Sequence, residues 1–393
     1  MMNLPITPDF QVWPQAPAIT ELRVHDGALM VLWADGKEAY FAPQMLAEND
    51  PATDVLHPKS REMLISPLDL PCDLQVNNAV CDANGSVVIT WNLDRRASHF
   101  HADWLRGIAW FDGDSEDLAP TERVSWNATE LPEPPTFDGP TVLQDSGAEL
   151  AWLEALAQYG IARLEKLPQQ DGLLEHVVTR IGPVRESNFG RQYTLEIKDD
   201  PDSNAFTSDA LLQHIDMPTR ESPHGLQFLY CRANTTTGGE GVYCDGIKIL
   251  EDIRVEHPDV FESLSQDRWT FNNRAKSSDY RARGTIAELD DLGQITGIRF
   301  TPWLRAPLKA PLAIQQRAYA AIRTLITFAQ DDKYRLAFRY RPGDLVAFDN
   351  RRVLHGRAGY DAHGGTRFIE GIYSDRDDLF SRIRVLTKEQ TNG

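Results

Sequence analysis

The chain has 393 residues, of which 41% are hydrophobic and 25% charged, the balance of an ordinary folded protein rather than a fibrous or disordered one. Fifty-eight acidic residues against forty basic ones give a net charge of −18, a field that repels phosphate backbones and argues against nucleic-acid binding. No run approaches the eighteen apolar residues of a membrane span, and the start, MMNLPITPDF, lacks a basic segment leading into an apolar core. A cytoplasmic protein is therefore expected.

The first hundred residues predict short strands between turns. Ala28–Trp33 followed by Ala-Asp-Gly-Lys forms a strand entering a hairpin, and Val87–Asn92 after Asn84-Gly-Ser repeats the pattern. A small β-rich domain is expected over residues 1–110. The acidic stretch 111–140, with prolines at 120, 132, 134, 135 and 140, has the composition of a linker. From 141 to 393 a larger domain follows. Apolar residues recur at helical spacing in Gly147–Tyr159, with Asp145 and Ser146 as caps, and again in Leu173–Arg180. Strands are predicted at Gly225–Cys231, Gly241–Cys244 and Gly297–Phe300. The longest helix, Pro311–Ala329, carries Ile314, Ala318, Ile322 and Leu325 on one stripe. Turns and strands alternate to the end: Pro342–Asp349, Arg352–His355 and Phe368–Tyr373. A mainly β fold with flanking helices, a sandwich or jelly roll, is the architecture this order favours. Cys72, Cys81, Cys231 and Cys244 form no CxxC pair and are expected as free thiols.

The chemistry centres on His214-Ile-Asp216. On a strand, residues i and i+2 point to the same side, so imidazole and carboxylate can grip one ion. Alone, such a pair is a weak signal. His355, at the end of a later strand pair, is the best third ligand, and two histidines with one carboxylate form the facial triad of non-haem Fe(II) sites. Arg367 follows twelve residues on. Its planar fork suits the far carboxylate of 2-oxoglutarate; read as a plain surface residue, it pairs instead with Glu370 or Asp375.

With these residues in place, the chain resembles the γ-butyrobetaine hydroxylase family of the taurine dioxygenase superfamily. The likeness is carried by Arg185–Gly190, Asp202–Thr207, His214–Arg220, Gly225–Cys231, Thr237-Gly-Gly and Phe348–His355, and runs from about Ala34 to Leu386. It implies a double-stranded β-helix (jelly roll) catalytic domain behind a small amino-terminal β-rich domain, a homodimer, Fe(II) on His214, Asp216 and His355, and 2-oxoglutarate on Arg367. It implies a small quaternary ammonium substrate and molecular oxygen as partners, with an aromatic cage at Phe189, Tyr193, Phe206 and Tyr373, since a trimethylammonium group is best held by ring faces.

Three departures accompany the resemblance. Where the family carries a structural zinc on three cysteines and a histidine, this chain has Pro51, Thr53, Leu56 and Arg96; no zinc is expected there, and packing alone must hold the domain. Pro302 stands where an asparagine receives the substrate carboxylate, leaving Asn204 or Arg305 as replacements. Gly241 stands where a Thr or Ser contacts 2-oxoglutarate, with Thr237 as the nearby substitute. The implied activity is hydroxylation of γ-butyrobetaine to carnitine; the alternatives are another quaternary ammonium compound, such as trimethyllysine or 2-trimethylaminoethylphosphonate, or a binding protein without catalysis.

Overall fold

A computed structural model describes residues 6–83, 85–111, 119–195, 207–273, 278–361 and 364–392. The chain divides into two compact units, Met1–Leu118 and Ala119–Gly393.

The first unit holds two three-stranded antiparallel sheets: Ile19–His25, Ala28–Trp33 and Glu38–Phe41, then Val76–Cys81, Val87–Trp91 and Ser98–Phe100. Alternation sets their inner faces. Leu29, Val31, Trp33, Val87, Ile89, Trp91 and Phe100 close one core, joined by Trp104 and Leu105 of the helix Ala102–Gly107. At the positions where cysteines and histidine were sought, Arg96 donates to Asp50 and Asp54, each at 2.7 Å. Asp50 is 1% exposed and also accepts from Ser98 Oγ. The loop is thus tied by a partly exposed arginine on a buried carboxylate as well as by packing.

The second unit is built on two sheets. The larger runs in the order Thr136–Asp138, Ile161–Glu165, Leu345–Asp349, Leu226–Asn234, Arg367–Ser374, Tyr193–Leu195. The smaller runs Leu211–His214, Val353–Arg357, Gly241–Asp245, Leu336–Phe338. Leu229, Cys231, Val346, Phe348 and Ile369 of the larger sheet share one core with Tyr243, Leu336 and Val353 of the smaller. The outer face of the larger sheet is covered by the helices Ser146–Tyr159, Leu173–Ile181 and Arg376–Asn392. Gly246–Glu256, Pro258–Gln266 and Leu312–Gln330 pack behind the smaller. Of the two cap candidates, Asp145 is the cap, accepting from Ala148 N, while Ser146 is the first helical residue; Gly160 closes the helix at φ 72°.

From Ala119 on, the proline-rich stretch is not a free linker. Trp126 is buried, its indole donating to the Tyr159 carbonyl at 2.7 Å and its backbone N–H to Asp245. Thr136–Asp138 adds a parallel strand beside Ile161–Glu165. Prolines suit that edge, where no ladder hydrogen bond is lost. Among the described residues all four cysteines are free, Cys231 and Cys244 buried in strands. No helix among them is long and apolar enough to cross a membrane.

Candidate metal centre and substrate cavity

His214 ends its strand directly opposite His355 in the antiparallel pair. Asp216 lies just past the strand, not on it. The chain turns there through Met217 at φ 53°, and Asn350 clamps the turn: it accepts from Asp216 N at 2.7 Å and donates to the carbonyls of Asp216 and His224, each at 3.0 Å. The carboxylate so placed has Oδ1 3.4 Å from His214 Nε2 and 3.7 Å from His355 Nε2. One ligand atom from each of the three residues falls within 4.8 Å of the others, the spacing of neighbouring ligands on one ion. His214 Nδ1–H donates to the Leu212 carbonyl at 2.8 Å, which leaves the Nε2 lone pair facing the triad. Burial opposes charge on Asp216, but the two imidazoles outweigh it and hold the carboxyl well below its usual range. Burial and His214 together lower the pKa of His355, favouring the neutral, ligating form.

These residues open on a cavity of about 660 Å³. Its inner end is basic. Arg367 lines it with Nε and Nη1 buried and without a hydrogen-bond partner among the described residues, so a buried cation faces the cavity with no anion of its own. Neither surface pairing holds: Glu370 binds Arg232 at 3.2 Å and Asp375 binds Arg185 at 2.6 Å. Arg357 lines the same end, and burial with Arg367 beside it lowers its pKa to about 10.

The other end is aromatic. Tyr193 and Tyr373 stack at 5.2 Å between centroids, and Phe189 stands 6.4 Å from Tyr193. Tyr193 can lie flat because its partner across the strands, Gly371, has no side chain; a Cβ there would sit 2.2 Å from Tyr193 Cζ. Tyr373 donates its hydroxyl to Asp216 Oδ2 at 2.7 Å, and Gln227 donates to the Tyr193 hydroxyl at 2.7 Å. His224 meets Tyr373 edge-on at 4.7 Å. Burial, with Arg185 nearby, lowers its pKa to about 4, so the ring stays neutral at physiological pH and adds no positive charge behind the aromatic wall.

Of the residues singled out in the sequence, His214, Asp216, His355, Arg367, Phe189, Tyr193 and Tyr373 line this one cavity. Asn204 and Phe206 lie outside the described residues. Thr237 is exposed on a turn, away from the cavity lining. Arg305 also faces elsewhere: it donates to the carbonyls of Thr301 and Pro302 and lies over Trp269 at 4.9 Å. Sequence reasoning missed Trp303, whose ring sits 4.8 Å from His214, and the polar liners Asn188, Asn273 and Ser278. Trp303 adjoins Pro302 and Asn188 lies in Arg185–Gly190, both in segments already singled out; Asn273 and Ser278 had no signal beyond residue type.

Residues 114–373 match the family model described as "Taurine catabolism dioxygenase TauD, TfdA family". The chain belongs to the TauD/TfdA dioxygenase family. Within that family it is 35% identical to the γ-butyrobetaine dioxygenase of Pseudomonas sp. (strain AK-1), over 97% of this chain and 99% of that protein. It is 30% identical to the human γ-butyrobetaine dioxygenase, over 96% and 100%. A rat protein, mitochondrial trimethyllysine dioxygenase, is 28% identical over 77% of this chain and 72% of its own length. As a TauD/TfdA member of the γ-butyrobetaine hydroxylase branch, the chain is an Fe(II)- and 2-oxoglutarate-dependent dioxygenase. The donor set fits those groups: three ligating side chains for the ion and an unpartnered buried guanidinium for a dicarboxylate.

Proposed function

We propose that the protein hydroxylates γ-butyrobetaine to carnitine, with His214, Asp216 and His355 holding Fe(II) and Arg367 receiving the far carboxylate of 2-oxoglutarate. The observation that carries this reading is the double contact of Tyr373, whose ring walls the aromatic end while its hydroxyl touches Asp216. A quaternary ammonium held against that ring lies one side chain away from the metal carboxylate. The ring faces of Phe189, Tyr193 and Tyr373 attract a cation that can donate no hydrogen bond. The neutral His224 behind Tyr373 leaves that attraction unopposed. Bound iron with 2-oxoglutarate supplies the oxidising power that places one atom of O₂ in a C–H bond, with succinate and CO₂ as coproducts. The chain's own part is to orient one C–H toward the ion and to exclude water. Relatives whose names specify γ-butyrobetaine support the substrate.

One observation favours a second reading, hydroxylation of another quaternary ammonium such as trimethyllysine or 2-trimethylaminoethylphosphonate. Pro302 offers no side-chain donor, and Arg305 already holds its carbonyl. Asn188, Asn273 and Ser278 are among the polar groups in the lining that could receive the anionic end. We further read the two facing sheets as the family's double-stranded β-helix and the first unit as its small amino-terminal domain, in a cytoplasmic homodimer.

The experiment is product analysis by mass spectrometry after the Fe(II)- and 2-oxoglutarate-loaded protein meets O₂ with γ-butyrobetaine. A product heavier by one oxygen, with matching succinate, is expected. Succinate without that product overturns the substrate in favour of the second reading. Unchanged turnover after His214→Ala or Asp216→Ala overturns the metal assignment.

A further inference from the structure

Gly241 leaves the cosubstrate end without the hydroxyl expected on that strand, yet the space is not empty. A Cβ built on Gly241 would lie 2.9 Å from Tyr340 Cε2, 3.0 Å from Tyr243 Cε2 and 3.2 Å from Tyr243 Oη. The two rings therefore occupy the volume a threonine would fill. Their placement follows from the sheet. Gly241 and Tyr243 are two apart on one strand and project to the same side, opposite Arg357 and His355 of the neighbouring strand. Tyr340 follows the edge strand Leu336–Phe338, whose Phe338 pairs with Gly241. Both tyrosines are almost wholly buried, their hydroxyls are hydrogen-bonded to each other, and both line the cavity together with Arg367.

Two hydroxyls joined by one hydrogen bond have two protons and use one. Among the described residues neither phenol hydroxyl has another hydrogen-bond partner, so one O–H remains to be donated. Burial raises both phenol pKa values, against the pull of Arg367, so both groups stay protonated and act as donors. Beside them are the unpartnered N–H groups on Nε and Nη1 of Arg367. A buried cation plus one spare phenolic proton is a donor set for one carboxylate; a neutral ligand end would leave the guanidinium charge uncompensated.

We infer that Tyr243 and Tyr340 form a paired-phenol donor that replaces the missing strand hydroxyl and binds the far carboxylate of 2-oxoglutarate alongside Arg367. This rests on the placement of that carboxylate at Arg367 proposed above. The pair is a cosubstrate-selecting element: it strengthens binding of 2-oxo acids that carry a second carboxylate and does nothing for those that lack one.

The test uses the full-length protein, loaded anaerobically with Fe(II), and measures dissociation constants from the visible absorption of the iron-chelated 2-oxo acid. Two ligands are compared: 2-oxoglutarate and 2-oxovalerate, which chelates through the same end but ends in a methyl group. Tyr243→Phe/Tyr340→Phe should weaken 2-oxoglutarate about tenfold, the usual scale of one hydrogen bond to a charged group, and leave 2-oxovalerate unchanged. Each single variant, keeping one hydroxyl, should lose less. Equal weakening of both ligands would mean a packing role and overturn the inference, as would unchanged 2-oxoglutarate binding. If Arg367→Ala weakens 2-oxoglutarate while the double variant does not, only the tyrosine pair is refuted. If neither does, the placement of the carboxylate at Arg367 falls with it.

Discussion

Tyr373 stacks on Tyr193 and donates its hydroxyl to Asp216 Oδ2 at 2.7 Å, while Oδ1 of that carboxylate faces the two imidazoles. One oxygen is thus occupied, and the other would be left free to hold an ion. Tyr373→Phe should keep the ring and lose this restraint. Fe(II) affinity, read by equilibrium titration, should fall about tenfold, the scale of a lost hydrogen bond to a charged group. Unchanged affinity would detach the hydroxyl from the proposed metal role.

The aromatic end makes its own prediction. Gly371→Ala brings a methyl within 2.2 Å of Tyr193 Cζ and must push that ring off Tyr373. Tyr193→Ala removes the ring altogether. Either change should raise KM for a trimethylammonium substrate by about 5- to 30-fold, the worth of a partly desolvated cation–π contact. An uncharged tert-butyl analogue should bind with much less change. Equal losses for both would refute a charge-selective cage.

Arg367 carries a guanidinium whose Nε and Nη1 are buried and lack partners among the described residues. Arg367→Ala should raise KM for 2-oxoglutarate by about a hundredfold, a charged, two-point contact being at stake. Arg367→Lys should recover only part of this, because an ammonium cannot reproduce the planar fork. Steady-state titration of the cosubstrate decides the matter.

Acid should find His224. Its ring is buried, neither nitrogen has a hydrogen-bond partner among the described residues, and its pKa falls from the ordinary 6.5 to about 4 in the fold. Between those values the unfolded chain binds a proton the native state refuses. Stability present above pH 6.5 is therefore lost as pH falls toward 4, by up to about 3 kcal/mol for this group. His224→Phe should flatten that part of the acid limb in urea midpoints taken at pH 7 and 4.5. An unchanged slope would show that the histidine does not control it.

In the first unit, Arg96→Ala leaves Asp50 as a buried carboxylate without its cation. A loss of about 1–3 kcal/mol is expected, since Arg96 is partly exposed and Ser98 still donates to the carboxylate. Thermal unfolding of the full chain should show the transition of this unit lowered while 2-oxoglutarate binding persists.

Much of this was legible in the residues. Ala28–Trp33 begins and ends where alternation and its turn require, and the helices starting at Ser146 and Leu312 follow their apolar stripes. The triad was legible because histidine and carboxylate two apart, with a distant histidine, is a ligand pattern independent of fold detail. What failed depended on direction rather than residue type. Asp216 joins the two histidines from a turn held by Asn350, which no strand periodicity reveals. Thr237 and Arg305 have suitable chemistry but point elsewhere, while Tyr243 and Tyr340, ninety-seven positions apart, meet only once the sheet brings them together. The Arg96–Asp50 pair was missed for the same reason: a contact across 46 positions leaves no local trace.

That ion pair has a practical consequence. The amino-terminal unit owes its loop anchorage to fixed charges and a serine hydroxyl, not to a thiolate-bound ion. A strong chelator should therefore spare its architecture and act on the iron centre. Stripping and reloading the metal can then be followed in the intact chain with its amino-terminal unit serving as an unfolding control, so that lost turnover after chelation reports on the catalytic ion and on nothing else.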